Sequence, residues 1–339
     1  MDRKVRGMIL AAGLGTRLRP LTYFRAKAAI PFLNSPFVSY SLELFRKSQI
    51  EPVMINLHHL PDTVRSVVGR EAADVEFSVE EEILGTAGCL RKVREFFGNR
   101  RFAVSNGKTY FEQDLGEVLD HHDRNGAMVT MVLVPYRPEE PYNPVLVDAD
   151  GNILGFARSR FQNLDRETRT LARPFIYTGV QILEPEVLDW IPPGASDSVN
   201  DIYPGLIDRG FPIRSFVSKA YWCECSTPRR YLEKSVEVLR RRHERTSDSA
   251  GLPERCEAVV LGEGVDLPAD AVVEDSIFWG HTKVGTGSSF RNVIITDGVG
   301  QLPDNTHVRN AVITPIRDDQ QEFRAVTRVG DRYALWPLD

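Results

Sequence analysis

The chain has 339 residues, 42% hydrophobic and 26% charged, enough for two domains or one large domain with an appendage. Its formal net charge of -5 argues against general nucleic-acid binding. No apolar run approaches a membrane span, and Met1-Asp2-Arg3-Lys4-Val5-Arg6 lacks the apolar core of a secretory signal, so the expectation is a cytoplasmic protein without membrane partners.

Met8 to Ala12 is a short apolar run that reads as a buried strand, and Gly13-Leu14-Gly15-Thr16 follows it as a sharp turn. Glycine tolerates positive φ, and such a turn gathers successive N–H groups into a concavity suited to anions. Arg17 and Arg19 add forked donors, and Lys27 adds a further charge, so the expected ligand is a polyphosphate. The run is not a dinucleotide fingerprint, because Leu18 stands where a third Gly belongs, and it has no Walker Gly-Lys-Ser/Thr.

Farther along, the patterning predicts a helix over 36–50, a strand over 52–57, a helix over 61–68 and a strand over 75–79. His58-His59 reads as structural, since adjacent residues on extended chain point to opposite faces. Glu80-Glu81-Glu82 reads as a solvated edge. A helix over 87–97 follows, with Thr86 able to cap it. A strand over 101–105, a helix over 114–125 and a strand over 128–134 complete an alternation that predicts a mostly parallel sheet covered on both faces. Ligands in such sheets bind at the carboxyl ends of strands. A hairpin is expected around Asp148 to Asn152, a strand over 175–183, and a helix over 229–245 ending in solvated arginines. Cys89, Cys223, Cys225 and Cys256 lack zinc-knuckle spacing and read as reduced thiols.

Residues 246–254 have the composition of a linker. Beyond them Val259, Val265, Ala271 and Ile277 fall six residues apart. After a one-residue slip Val284 and Phe290 resume the spacing, and Leu302 with Val308 keep it. A six-residue apolar period marks a parallel β-helix. The tail, with Trp336, is expected to cover its open end, because a bare last coil would invite pairing.

The string through Arg17 and Lys27, with Leu84-Gly85-Thr86-Ala87-Gly88, resembles the signatures of the sugar-phosphate nucleotidyltransferases (NDP-sugar pyrophosphorylases), of the mannose-1-phosphate guanylyltransferase or sugar-1-phosphate uridylyltransferase kind. The resemblance implies a doubly wound, mostly parallel, Rossmann-like α/β domain over 1–245. A linker over 246–254, a short left-handed parallel β-helix over 255–317 and a tail over 318–339 follow. It implies a nucleoside triphosphate and a sugar 1-phosphate as substrates, a nucleotide sugar and pyrophosphate as products, and Mg²⁺ as cofactor. Arg17 and Lys27 would be catalytic. Leu10, Ala11, Ala12, Gly13, Leu14, Gly15, Thr16, Gly85, Thr86, Gly88, Asn106 and Lys108 would bind nucleotide. Thr178, Gly179 and Arg158 would face the sugar.

The chain departs from the family pattern where it matters for metal. Lys108 follows Asn106-Gly107 where relatives carry an Asp, and Glu224 stands for the second Asp as the remaining candidate metal ligand. A lysine in the first shell would repel Mg²⁺. Two readings stay open: Lys108, anchored by Glu224, replaces part of the metal's charge, or Asp114 or Asp201 supplies a ligand. Ala26-Lys27-Ala28 stands where the family writes Pro-Lys-Pro, keeping the charge and losing the stiffness of the loop, and Phe156-Ala157-Arg158-Ser159-Arg160 lacks the Glu-Lys that relatives carry after a Phe, which leaves the sugar undefined. The alternative to an enzyme is a catalytically silent homologue that binds nucleotide or nucleotide sugar and regulates a partner; homo- or hetero-oligomerisation is left open.

Overall fold

Gly7 shows why the first strand packs where it does. A Cβ there would lie 2.7 Å from the Phe45 ring, so the bare backbone admits the helix Phe37–Lys47 directly against the sheet. The computed structural model describes residues 5–69, 72, 74–156, 171–246, 255–317, 326–329 and 332–339, and these form two compact units.

The first unit, Met1–Leu14 with Phe37–Cys223, is built on a nine-stranded sheet. Its main path runs Ile153–Phe156, Val145–Val147, Arg173–Leu183, Phe102–Asn106, Arg6–Leu10, Val53–Leu57, Val75–Val79. The last four strands are parallel, as the alternation with helices predicts. Their register sets Leu10 beside Asn56 and Asn106, so the segments that follow these strands emerge along one edge. The other half makes the sheet mixed: Arg173–Leu183 runs antiparallel to three neighbours. Met8, Phe102, Val104, Met131, Leu133 and Tyr203 belong to the core beneath it. The expected hairpin is present, with Asp148 accepting from the amides of Asp150 (2.9 Å) and Asn152 (2.8 Å). The helix expected over 87–97 starts earlier, at Gly85, and breaks at Val93 into Gly85–Lys92 and Arg94–Phe97.

The second unit joins Gly15–Pro36 to Glu224–Asp339. It holds the helix Pro228–Thr246 and a six-stranded sheet in the order Cys256–Leu261, Val272–Phe278, Ser289–Ile295, His307–Pro315, Tyr333–Pro337, Thr327–Val329. The first four strands are parallel, each residue pairing with one 17 or 18 positions on: Cys256 with Val273, Val272 with Ser289, Ser289 with His307. Val259, Ala271, Val284, Phe290, Leu302 and Val308, the six-residue series, share one buried cluster. Val265 packs at its margin, and Ile277 is buried outside it. Tyr333–Pro337 covers His307–Pro315 as an antiparallel strand, which removes one exposed edge. Trp336 donates from Nε1 to the Thr314 hydroxyl at 3.0 Å.

The early segment 15–36 is anchored inside this second unit. Asn34 donates to the Leu261 carbonyl at 2.8 Å, and Tyr231 OH donates to the Pro31 carbonyl while accepting from Trp279 Nε1 at 3.0 Å. Arg25 pairs with Asp297 at 2.5 Å and lies over the Trp279 ring, and Arg317 donates to the Tyr23 carbonyl at 2.5 Å. No helix among the described residues is long and apolar enough to cross a membrane.

Candidate functional site

On the first unit, the chain leaves the strand Arg6–Leu10 into Ala11 and Ala12, which are buried, and then Gly13 and Leu14, which are exposed. The Leu10 carbonyl accepts from Gly107 N at 3.0 Å. A Cβ on Gly107 would meet Ile9 at 2.8 Å, so glycine lets Asn106-Gly107-Lys108 lie flat against the first strand's end. The Ala11 amide is already satisfied: it donates to Asn56 Oδ1 at 2.7 Å in a buried bond.

Asn56 leads to a residue the sequence reading placed on a solvated edge. Glu80 is 3% exposed, and only Glu81 and Glu82 face solvent. Asn56 Nδ2 donates to Glu80 Oε1 at 2.7 Å, and Leu84 N donates to Oε2 at 2.9 Å. The side-chain direction follows from the end of Val75–Val79: Val79 is 44% exposed, and the next residue on extended chain turns inward. His58 contributes as read, structurally, with Nδ1 donating to the Glu80 carbonyl at 2.9 Å.

Gly85, Thr86 and Gly88 begin the helix Gly85–Lys92. Gly85 has φ 73°, and a Cβ on it would lie 2.5 Å from the Ser196 carbonyl oxygen. A Cβ on Gly88 would collide with the Gly194 carbonyl. Small residues are needed here for the approach of the chain around 194–196, whose Ser196 carbonyl accepts from Ala87 N at 2.9 Å. Thr86 does not cap the helix; its hydroxyl donates to Asp197 at 2.8 Å and accepts from Ser198 N at 2.8 Å. Burial, reinforced by the Glu80 charge, raises the pKa of Cys89 and keeps the thiol protonated.

Thr178 and Gly179 lie in a register break of Arg173–Leu183, between Tyr177 and Gln181. Thr178 is buried, and its hydroxyl donates to the Val132 carbonyl at 2.7 Å while its own carbonyl accepts from Trp222 Nε1 at 2.9 Å. Gly179 has φ 85°, and a Cβ there would strike the Asn106 side chain. Arg158 lies outside the described residues. Asp114 and Asp201 are held in local turns: Asp114 accepts from Gly116 N at 2.8 Å, and Asp201 from Asp197 N at 2.7 Å.

On the second unit, Gly15 takes the left-handed conformation, φ 65° and ψ 27°, and opens a one-turn 3-10 helix, Thr16–Leu18. Its carbonyl accepts from Leu18 N at 2.9 Å and from the Thr22 hydroxyl at 3.0 Å. Thr16 and Arg17 are exposed and Leu18 is buried. A Cβ on Gly15 would lie 3.5 Å from the Lys27 Cβ, so the turn and the lysine are side by side. Lys27 Nζ lies 3.5 Å from Glu224 Oε1, with the two side chains only 13% and 11% exposed. The Glu224 carbonyl accepts from Arg230 Nε at 2.9 Å. Glycine turn and lysine are thus brought together, and Glu224 is given Lys27 as an ion-pair partner, which a separation of 197 positions conceals from the sequence.

These residues do not fit a divalent-cation centre made by the protein alone. Among the described residues no three His, Cys, Asp or Glu side chains cluster, and Glu224 is engaged with a lysine.

The class that emerges is an α/β protein with a mixed sheet and a glycine turn after its first strand. Residues 6–241 match the nucleotidyl transferase family, and the chain belongs to it. Sugar-1-phosphate nucleotidyltransferases are its distant homologues. It is 33% identical over 254 residues to a UTP–glucose-1-phosphate uridylyltransferase of Synechocystis sp., covering 70% of this chain and 64% of that protein's length. It is 27% identical over 302 residues to a mannose-1-phosphate guanylyltransferase of Mycobacterium tuberculosis, covering 87% of this chain and 81% of the relative. The fold is also that of HddC from Yersinia pseudotuberculosis, solved with GMP-PN, at TM-score 0.56 and 22% identity over 69% of this chain and 99% of the other.

Proposed function

We propose that the protein transfers a nucleotidyl group from a nucleoside triphosphate to a sugar 1-phosphate. A phosphate oxygen of the sugar attacks the α-phosphorus and forms a new P–O bond. The bond from the α-phosphorus to the bridging oxygen breaks, and pyrophosphate leaves with that electron pair. Such a step depends on positioning and on neutralising charge. The observation that carries this reading is the closeness of Lys27 to the Gly15 turn: a Cβ added at Gly15, in left-handed backbone, would lie 3.5 Å from Lys27 Cβ, and the Lys27 side chain is largely buried. In this reading Arg17 and the amides of Leu14, Gly15 and Thr16 take phosphate oxygens, and Lys27 stabilises charge at the α-phosphate. Leu10 to Gly13, Gly85, Thr86, Gly88, Asn106 and Lys108 accommodate the nucleotide, and Thr178, Gly179 and Arg158 the sugar.

A second reading is favoured by Lys108 and by the engagement of Glu224 with Lys27. It is a homologue that holds nucleotide or nucleotide sugar without a divalent cation and turns it over poorly. Pyrophosphate release, measured across nucleoside triphosphates, hexose 1-phosphates and divalent metals, separates the two. Turnover by the wild type excludes the silent homologue. Turnover only after Lys108→Asp excludes an active wild type. Nucleotide binding lost on adding EDTA sinks metal independence.

The six-stranded sheet is read as part of a left-handed parallel β-helix. The pairing offsets of 17 and 18 residues support it, as do the bridges Asp266–Lys283 and Lys283–Gln301. Positive φ also recurs at Ala258 (51°), Asp275 (46°), Asn292 (54°) and Asn310 (52°), one in each of the four parallel strands.

A further inference from the structure

Two short 3-10 turns, Thr16–Leu18 and Leu21–Tyr23, follow in close succession after Gly15. A helix this short has too few hydrogen bonds of its own to stay in place, so its position is set by what packs on it. The second turn is tied to the first by a buried side chain: Thr22, 2% exposed, donates its hydroxyl to the Gly15 carbonyl at 3.0 Å. Whatever holds Leu21–Tyr23 therefore also holds the left-handed Gly15 and the Arg17 that follows it.

The hold comes from far along the chain. Tyr23 is 7% exposed and clusters with Ala334, and Phe24, Ile316 and Trp336 pack against the pair. The Trp336 ring lies 6.1 Å from that of Tyr23, tilted by 39°. The indole is itself fixed, since Nε1 donates to the Thr314 hydroxyl on the neighbouring strand at 3.0 Å. Arg317 donates to the Tyr23 carbonyl at 2.5 Å and lies over the Phe24 ring. Arg19, between the two turns, stacks its guanidinium over Tyr23 at 5.1 Å. Closing the edge of His307–Pro315 needs only the backbone pairing of Tyr333–Pro337, so the contact of Trp336 with Tyr23 is additional to it.

We propose that Trp336 is a positioning residue for the glycine turn: acting through Tyr23 and Thr22, it holds Gly15 and Arg17 in the conformation that receives a polyphosphate. This rests on the polyphosphate site of the reading given above. The indole touches no ligand in this role. It lowers the ordering cost that binding would otherwise meet. Coupling of this kind is reciprocal, so a ligand on the turn must hold the tail strand down by the same factor by which the tail tightens the ligand.

Two measurements on the full chain test this. The first is calorimetric titration with inorganic tripolyphosphate and with each of four nucleoside triphosphates. Trp336→Ala is expected to bind tripolyphosphate and the preferred nucleotide about tenfold more weakly, and Trp336→Phe, which keeps a ring against Tyr23, to stay within about threefold of wild type. Val284→Ala, which thins the solenoid core in an earlier coil, should lower the melting temperature and leave both affinities unchanged. The second is hydrogen exchange of the backbone amides of 333–336 in the wild type. Saturating tripolyphosphate should slow it by the same factor, about tenfold, and Tyr23→Leu should abolish the slowing.

Trp336→Ala that binds tripolyphosphate like wild type overturns the proposal, as does tail exchange that the ligand leaves unchanged. Equal losses of affinity in Val284→Ala and Trp336→Ala would reduce the effect to stability and overturn it as well. If Trp336→Ala fails to fold, the exchange measurement on the wild type still decides. A wild-type chain that binds neither tripolyphosphate nor any nucleotide instead overturns the polyphosphate reading, and this inference with it.

Discussion

The chain on either side of the glycine turn is held in two different ways. Before it, Ala11 is tied through Asn56 and Glu80 by hydrogen bonds to groups about 3% exposed. After it, residues 15–36 are tied by ion pairs and ring contacts, among them Arg25 with Asp297, whose side chains are 30% and 34% exposed. Buried directional bonds fix a distance and are insensitive to salt, whereas half-exposed ion pairs hold more loosely and are screened. The bonds that hold Ala11 are thus buried and directional, whereas Arg25 is held by a partly exposed ion pair that salt can screen.

The largest effect should follow from removing the charge of Lys27, after the turn. Lys27→Met is expected to lower the rate of pyrophosphate release about 10²–10³-fold, as removal of one transition-state donor does; an unchanged rate would remove Lys27 from the chemistry. Within the turn itself, Gly15→Ala should cost roughly 1–2 kcal/mol, because φ is 65° and the new Cβ would lie 2.7 Å from Thr22 Cγ2. Gly13→Ala, with nothing within 4 Å of the added Cβ, should leave the urea midpoint unchanged within about 0.5 kcal/mol. Equal effects at the two glycines would erase the distinction between the two sides. Arg25→Gln should cost about 0.5–1 kcal/mol at low salt and close to nothing at 1 M NaCl, read as melting temperatures.

The smallest effect is at the far end of the sheet and serves as a reference. Glu184 is subject to burial, which would raise its pKa, but hydrogen bonds and charge from His122 and Arg101 more than offset this and lower it from the ordinary 4.5. The folded state therefore binds fewer protons than the unfolded chain in that range. The stabilisation is present above about pH 4.5 and is lost as pH falls through the lower folded value. Glu184→Gln should flatten the acid limb of stability against pH without altering nucleotide affinity.

Features that depend on a few adjacent residues were readable in the sequence. The glycine turn, the parallel half of the sheet and the helix Pro61–Val68 stand where the patterning put them. The six-residue period was readable because it follows from inward packing alone. Glu80 was misread because a run of three acids hides which one turns inward; the alternation at the end of Val75–Val79 was the available signal. The small residues at Gly85 and Gly88 carried two meanings at once, since the chain at Gly194 and Ser196 demands them whether or not a base lies near. The pairing of Lys27 with Glu224 had no local trace, being a product of tertiary closure.

The attachment of residues 15–36 to the carboxyl-terminal half has a practical corollary for anyone recombining relatives. A crossover placed after the helix Pro228–Thr246 would exchange Asp297, the ion-pair partner of Arg25, and Trp279, the indole partner of Tyr231, for whatever side chains the donor carries there. A chimaera that transplants residues 15–36 together with the donor's carboxyl-terminal half keeps those pairs intact, and that is the graft to build first.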